Sequence, residues 1–326
     1  METKLESLNS GDGLIILFDD VNSKIGYIMG LAEHVSGENV NFMTRVAKGL
    51  TYVCITKKQA KKLNLHIIEQ DDGFNSSKSF TESVDYKTNT TGISAFERSD
   101  TIKAFTQLEA KPYDFKRPGH LFPLVSKEMK MLERIGIAEV AVFIAEQLTK
   151  IPVAYVSEFL NDNGEIANKN EVVRLSQRYG IPILNFSEVA KLQYERTQWL
   201  TILDSKYIDN SENILVYNVS NNYNKKIFKL FVRLGGSANI NTIFYRECQF
   251  DLLNSDECSC KWHMKDYYSL LKNKEIDVIV FEHEHIHPFS FNDGMMDGII
   301  TAQIKELIEE IFQKHKEDIE VMVSNY

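Results

Sequence analysis

The sequence predicts a two-domain α+β protein, and three observations carry that prediction. Its 326 residues are about twice the ~150 of an ordinary domain. Short apolar runs of strand length alternate with segments of helical spacing, a mixture that reads as α+β. A stretch over about 191–213 loses helical periodicity and turns polar at Asp209–Asn213, which places a boundary there. The expected organisation is an α+β domain over residues 1–195 and a second, smaller α+β domain over 196–326.

In chain order, Leu14–Phe18 is a buried strand that ends in the acidic pair Asp19-Asp20. Asn41–Leu50 has helical spacing, Thr51–Thr56 reads as a strand and Lys57–Leu63 as a short charged helix. Asp71–Ser77 is rich in Gly, Asn and Ser and reads as a loop, followed by a strand-like Thr81–Asp85. The polar turn Thr90–Ser94 precedes a helix over Ser99–Phe105. Arg117-Pro118-Gly119-His120 reads as another turn, with helices from about Lys127 and over Glu139–Thr149. Val153–Leu160 is a strand, Asn163-Gly164 a hairpin turn, Glu171–Tyr179 a helix and Ile181–Phe186 a strand. The second half carries strand-like runs at Ile214–Val219, Ile227–Leu234, Thr242–Tyr245 and Ile276–Phe281. It ends in an amphipathic helix with Ile304, Leu307, Ile308 and Ile311 on one face.

A composition of 43% hydrophobic and 25% charged residues is that of a globular protein and excludes disordered and low-complexity classes. The net charge of −9 gives no general attraction to nucleic acid or anionic membrane, so neither is an expected partner. Met1–Gly13 lacks the pattern of a secretory signal, and no apolar run reaches the ~18 residues of a membrane span. The expected location is the cytoplasm. Of the four cysteines, Cys54 stands alone in an apolar run and reads as a core residue, whereas Cys248, Cys258 and Cys260 cluster. In a reducing compartment such a cluster points to metal more than to disulfides.

An ordered set of motifs makes the first half specific. Asn41-Phe42-Met43, Thr90–Ala95 with Glu97-Arg98, Asp114–His120, Phe122-Pro123-Leu124, Arg134-Ile135-Gly136 with Glu139, and Ser157-Glu158 with Asn161–Gly164 together resemble 3,4-dihydroxy-2-butanone 4-phosphate synthase over about residues 11–190. The resemblance implies conversion of ribulose 5-phosphate to a four-carbon phosphate and formate for riboflavin synthesis, with a divalent metal and a site shared across a homodimer. Such chemistry needs cationic donors for phosphate and a carboxylate or imidazole for each proton transfer. By the resemblance, Glu158, His120 and Asp20 are the expected catalytic residues. Arg134, Thr91, Asp19 and Glu139 are expected to bind a small phosphorylated metabolite.

The departures fall where the family holds its metal. After the Asp-Asp pair the family carries Glu-Asp-Arg-Glu-Asn-Glu-Gly-Asp, whereas this chain has Val21-Asn22-Ser23-Lys24-Ile25-Gly26-Tyr27, one residue shorter and without a carboxylate. The family's Gly-His-Thr-Glu-Ala becomes Gly136-Ile137-Ala138-Glu139-Val140, so the second metal ligand is an isoleucine. Hard cations bind through oxygen ligands, and Lys24 would repel one. The standard Mg²⁺ site is therefore expected to be lost.

In the second half, Cys248, Cys258 and Cys260 are spaced to share one tetrahedral Zn²⁺. This spacing, between strand-like runs, resembles GTP cyclohydrolase II. The catalytic stretch which that resemblance places after Val280 is replaced by Phe281-Glu282-His283-Glu284-His285-Ile286-His287, so the domain reads as degenerate. On an extended strand His283, His285 and His287 would share a face, as metal ligands or as a solvated surface.

Three functions remain open: a divergent enzyme on a sugar phosphate or related substrate, a non-catalytic regulatory or scaffold homologue, and retained synthase activity with Glu33 or Glu38 substituting as metal carboxylates. The competing structural role for Arg134 and Glu158 is an ion pair with each other, and for Lys24 a solvated loop charge.

Overall fold

Clustering of backbone contacts divides the chain into Met1–Glu195 and Arg196–Tyr326. The computed structural model describes residues 4–5, 8, 13–68, 78–222, 225–235, 240–246, 263–282 and 302–315. Each unit has its own sheet and helices, and the fold is two-domain α+β.

In the first unit, β1 (Leu14–Phe18), β2 (Gly26–Leu31), β3 (Lys48–Ile55), β4 (Val84–Tyr86), β5 (Phe115–Val125), β6 (Ala154–Phe159) and β7 (Ile183–Asn185) form one mixed sheet in the order β4-β5-β3-β6-β2-β1-β7. β1 and β2 are near-continuous apolar runs because both of their faces are covered. One face carries Ile28, Val53, Tyr155 and Phe159 and packs against Val40 and Met43 of α1 (Gly37–Val46). Alternation puts Tyr27, Tyr52, Cys54, Val156 and Glu158 on the opposite face. That face is closed by α4 (Ile137–Leu148), which touches β3 and β6 and is apolar nearly all round, as a helix buried on every side must be.

The remaining helices are α2 (Lys57–Lys62), α3 (Ala95–Ala104), α5 (Lys169–Tyr179) and α6 (Phe186–Arg196). Local chemistry sets their ends. Asn168 and Glu171 form a reciprocal capping box at the start of α5, and Gly180 ends it in the left-handed conformation.

The second unit pairs β8 (Leu200–Asp209), β9 (Ile214–Asn221), β10 (Ile227–Arg233), β11 (Thr242–Arg246) and β12 (Val278–Glu282) in the order β11-β12-β10-β9-β8. β11 and β12 are parallel and the other pairs antiparallel. α7 (Met264–Lys272) packs on β12, and the helix over 302–315 buries Ile304, Ile308 and Ile311. Among the described residues no helix is long and apolar enough to cross a membrane.

The structure corrects several expectations. β2 begins within the segment read as the remnant of a loop, and β8 and α6 occupy the stretch read as aperiodic. No α-helix starts at Lys127; only a 3-10 turn forms at Lys130–Leu132. Arg117–His120 is not a turn between elements. The β4–β5 pairing passes from Val84–Leu121 directly to Asp85–Lys116, so these four residues form a bulge inside β5. The loop expected over Asp71–Ser77 lies outside the described residues, as do Cys248, Cys258, Cys260, His283, His285 and His287.

Candidate active site around Glu158

Glu158 owes its position to an irregularity in the sheet. In the β3–β6 pairing Lys48 faces Phe159 and Thr51 faces Ser157, so Gly49 and Leu50 together oppose Glu158. A Cβ on Gly49 would collide with the Glu158 carbonyl, so only glycine lets the strands approach there. Across the other edge of β6, Glu158 faces Tyr27 of β2.

The Glu158 carboxylate is ion-paired to Lys78 Nζ, with 14% of the Glu158 and 22% of the Lys78 side chain exposed. Tyr52 is hydrogen-bonded to the same carboxylate. The Lys78 ammonium lies 5.0 Å from the centroid of the Tyr52 ring and 5.6 Å from that of Tyr27, within cation–π range. Burial, and then the nearby Glu158 charge, push both tyrosine hydroxyls well above their ordinary range, so both stay protonated. Cys54 is fully buried beside them, as expected of a core thiol; burial and the Glu139 carboxylate raise its pKa and Lys78 opposes the rise.

Arg134 pairs with Glu139, and Glu158 pairs with Lys78, so the expected Arg134–Glu158 pair does not form. Glu139 Oε1 accepts from Arg134 Nη2 at 2.6 Å, from Arg134 Nε at 3.1 Å and from the Lys127 backbone N–H at 2.8 Å. Arg134 Nη1 donates to Ser79 Oγ at 3.2 Å. Lys78 and Ser79 thus join the Glu158 and Arg134 groups through consecutive residues. The guanidinium has five donors; beside a long Nη2 contact to the Val125 carbonyl, one Nη1 N–H keeps no partner among the described residues. Glu139 is completely buried and its Oε2 has no hydrogen-bond partner among the described residues.

The acidic pair after β1 works on the backbone. Asp19 accepts from the N–H groups of Val21, Asn22 and Ser23 and from the Ser23 hydroxyl at 2.6–3.1 Å, and Ser23 in turn reaches Tyr27. Asp20 accepts from the Ser187 N–H and hydroxyl at the start of α6. It also lines an open cavity of about 420 Å³ with Phe18, Lys24 and Lys169. Lys24 is exposed and donates to the Asp20 carbonyl.

His120 and Thr91 form a separate group. His120 Nδ1 is 2.8 Å from Asp85 Oδ2, and its N–H donates to Asp85 Oδ1 at 3.0 Å. Gly92, at φ +77°, packs so closely on Asp85 that a Cβ would collide with the carboxylate. The Thr91 hydroxyl donates to Glu97, which also takes the Thr90 hydroxyl, the Thr90 and Gly92 N–H groups and the Ser94 hydroxyl. These bonds, Thr90 first, hold the Glu97 carboxyl down at about 2. Among the described residues the partners of His120 and Thr91 are Asp85 and Glu97, and those of Glu158 and Arg134 are a different set.

A scan of family models matches residues 2–192 to 3,4-dihydroxy-2-butanone 4-phosphate synthase. The chain belongs to that family. It is 40% identical over 192 residues to the 3,4-dihydroxy-2-butanone 4-phosphate synthase of Oceanobacillus iheyensis, covering 59% of this chain and 92% of that protein. It is 29% identical over 270 residues to the riboflavin biosynthesis protein RibBA of Bacillus subtilis, covering 80% and 67%. Among solved structures, RibBX, a two-domain synthase from A. baumannii, matches 94% of this chain and 90% of its own with a TM-score of 0.67; at 22% identity this is a likeness of fold. A synthase crystallised with two magnesium ions matches 60% of this chain and 97% of its own at 25% identity and TM-score 0.56.

The residues at the expected metal positions do not fit a hard cation. Ile137 is buried in the core, and the loop after β1 offers Asn22, Ser23 and Lys24 in place of carboxylates. Glu33 and Glu38 lie beyond the far end of β2, whose six residues span about 20 Å at ~3.3 Å per residue. Sequence reasoning missed Lys78, Tyr52 and Tyr27. The signal available for Tyr27 was its place opposite the family's Asp, whereas Lys78 stood at the end of a Gly/Asn/Ser-rich loop with no motif around it.

Proposed function

We propose that this member of the riboflavin-biosynthesis synthase family is an enzyme acting on a small phosphorylated ketose, with ribulose 5-phosphate the first substrate to test. Arg134, oriented by the buried Glu139, binds the phosphate, and Glu158 moves the proton. The observation that carries this reading is a partly accessible carboxylate, Glu158, set among the Lys78 ammonium and two protonated phenols, with Lys78 next in the chain to Ser79, which accepts from Arg134. Asp19 and Asp20 position the loop beside Tyr27, a structural role that the backbone contacts favour over direct catalysis. The reading includes a cytoplasmic homodimer in which a second copy supplies His120 and Thr91, as the family resemblance implies; its support is that these two form a group separate from that of Glu158 among the described residues.

For the second unit the reading is a degenerate GTP cyclohydrolase II-like domain with Zn²⁺ on Cys248, Cys258 and Cys260. Its support is the cysteine spacing and a match to RibBA that extends past the synthase region. Elemental analysis of the purified chain and of Cys258→Ser tests it; a wild type without zinc removes the metal.

The enzyme reading is tested by phosphorus NMR of the full chain with ribulose 5-phosphate, with and without Mg²⁺, and a formate assay in the same tube. Formation of the four-carbon phosphate and formate gives retained synthase chemistry. Binding without any turnover favours the second reading, a non-catalytic homologue, which the loss of both metal positions supports.

A further inference from the structure

By the resemblance the chain differs from its family at three places. Tyr27 follows Gly26 where the family's loop ends in Gly-Asp, Ile137 replaces a histidine, and the loop after β1 has no carboxylate. Among the described residues no group of three side chains is placed to hold a divalent cation, and an ammonium lies beside Glu158. Lys78 Nζ is fixed by the Glu158 carboxylate on one side and by the faces of Tyr27 and Tyr52 on the other. A long, flexible side chain is thereby held in one place and only partly open to water.

A ketose phosphate losing a proton beside its carbonyl places negative charge on the former carbonyl oxygen. That charge must be met by a metal or by a preorganised donor. The geometry points to the Lys78 ammonium as the group that stabilises this enediolate, so that the site turns over a 2-keto sugar phosphate without a divalent cation. This rests on the sugar-phosphate reading of the Glu158 site and deepens it.

The step balances within the residues present. Glu158 takes a proton from the carbon next to the carbonyl, and the C–H electron pair becomes the C=C bond. The carbonyl π pair moves onto oxygen, where the ammonium donates a hydrogen bond to it. The proton held on the Glu158 carboxyl exchanges with solvent before its return to carbon reverses the step, so that in D₂O deuterium enters the substrate. Tyr52, kept protonated, stays hydrogen-bonded to Glu158 and holds the carboxylate in place while the Lys78 ammonium beside it donates to the substrate oxygen.

The test uses the full chain, dialysed against EDTA, with ribulose 5-phosphate in D₂O. Proton NMR follows exchange of the hydrogens beside the carbonyl, and phosphorus NMR titration follows binding separately. The expected result is exchange in EDTA within about twofold of the rate in Mg²⁺. Lys78→Met lowers that rate by roughly two to three orders of magnitude, the usual size of losing one such donor, while phosphate binding is unchanged. Lys78→Arg restores part of the loss, and Lys78→Gln replaces Lys78→Met if that variant fails to fold. Exchange that requires Mg²⁺, or that survives in Lys78→Met, overturns the role of Lys78 and leaves the sugar-phosphate reading standing. Bound substrate with no exchange under either condition also overturns it. Absence of any binding overturns the sugar-phosphate reading itself, and this inference with it.

Discussion

Two ion pairs, one in each unit, show how differently a sheet can use the same charges. In the second unit Arg233 and Asp277 meet at 2.5 Å with 7% and 4% of their side chains exposed. Asp277 also accepts the Asn241 N–H at 3.0 Å, and the Arg233 N–H donates to the Asp277 carbonyl. These contacts knit the end of β10 and the start of β11 to the start of β12. In the first unit Lys78 and Glu158 are more open, sit beside phenols instead of backbone, and join a loop to the middle of a sheet. A pair buried this deeply is a structural tie, because breaking it strands a charge. A partly open pair strands less charge when it is broken, and water and other partners can still reach its members.

The largest effect that sharpens this contrast is expected from Asp277→Ala, which leaves Arg233 buried without its carboxylate and costs about 3–5 kcal/mol. Both tryptophans, Trp199 and Trp262, lie in the second unit, so urea unfolding followed by their fluorescence reads this loss directly. Next comes Glu139→Gln, which weakens three hydrogen bonds in a completely buried site and costs about 2–3 kcal/mol by circular dichroism. The same variant weakens phosphate binding, because Arg134 loses its orientation.

Lys78→Met is expected to lower unfolding free energy by about 1–2 kcal/mol, because the Glu158 carboxylate keeps Tyr52 and some access to water. A loss as large as that of Asp277→Ala would erase the distinction between the two pairs.

The smallest effect is a pH dependence carried by exposed carboxylates in both units. Glu97, held by the Thr90 contacts first, and Asp209, held by Lys272 first and then Ser211, both sit at about 2. Their folded values lie below the unfolded ones of 4.5 and 3.8, so the stabilisation is complete above about pH 4.5 and is lost as pH falls toward 2. Glu97→Gln should therefore lower stability near pH 6 and have almost no effect near pH 2. An equal effect at both values would assign the role of Glu97 to packing.

Much of the first unit was legible because apolar runs such as Leu14–Phe18 and helices such as α5 carry their own signals: continuous burial, a capping pair, a terminal glycine. β2 was harder, since its start follows a loop whose family pattern had been lost and its glycines dilute the strand signal. Arg117–His120 looks like a turn in any sequence, because proline and glycine are adjacent there. Only the pairing of Asp85 with Lys116 and Val84 with Leu121 makes it a bulge that presents His120 to Asp85.

The sequence by itself determined the family, the two-domain α+β class, and the residue types missing from the metal positions, because each of these is a matter of local composition and order. Only the tertiary structure decided which charges meet. Arg134 found Glu139 five residues away, and Glu158 found Lys78 eighty residues away, across a face that Gly49 allows to close. The physical reason is that ion pairing depends on distance in space and on burial, and neither is written in the spacing of residues along a chain.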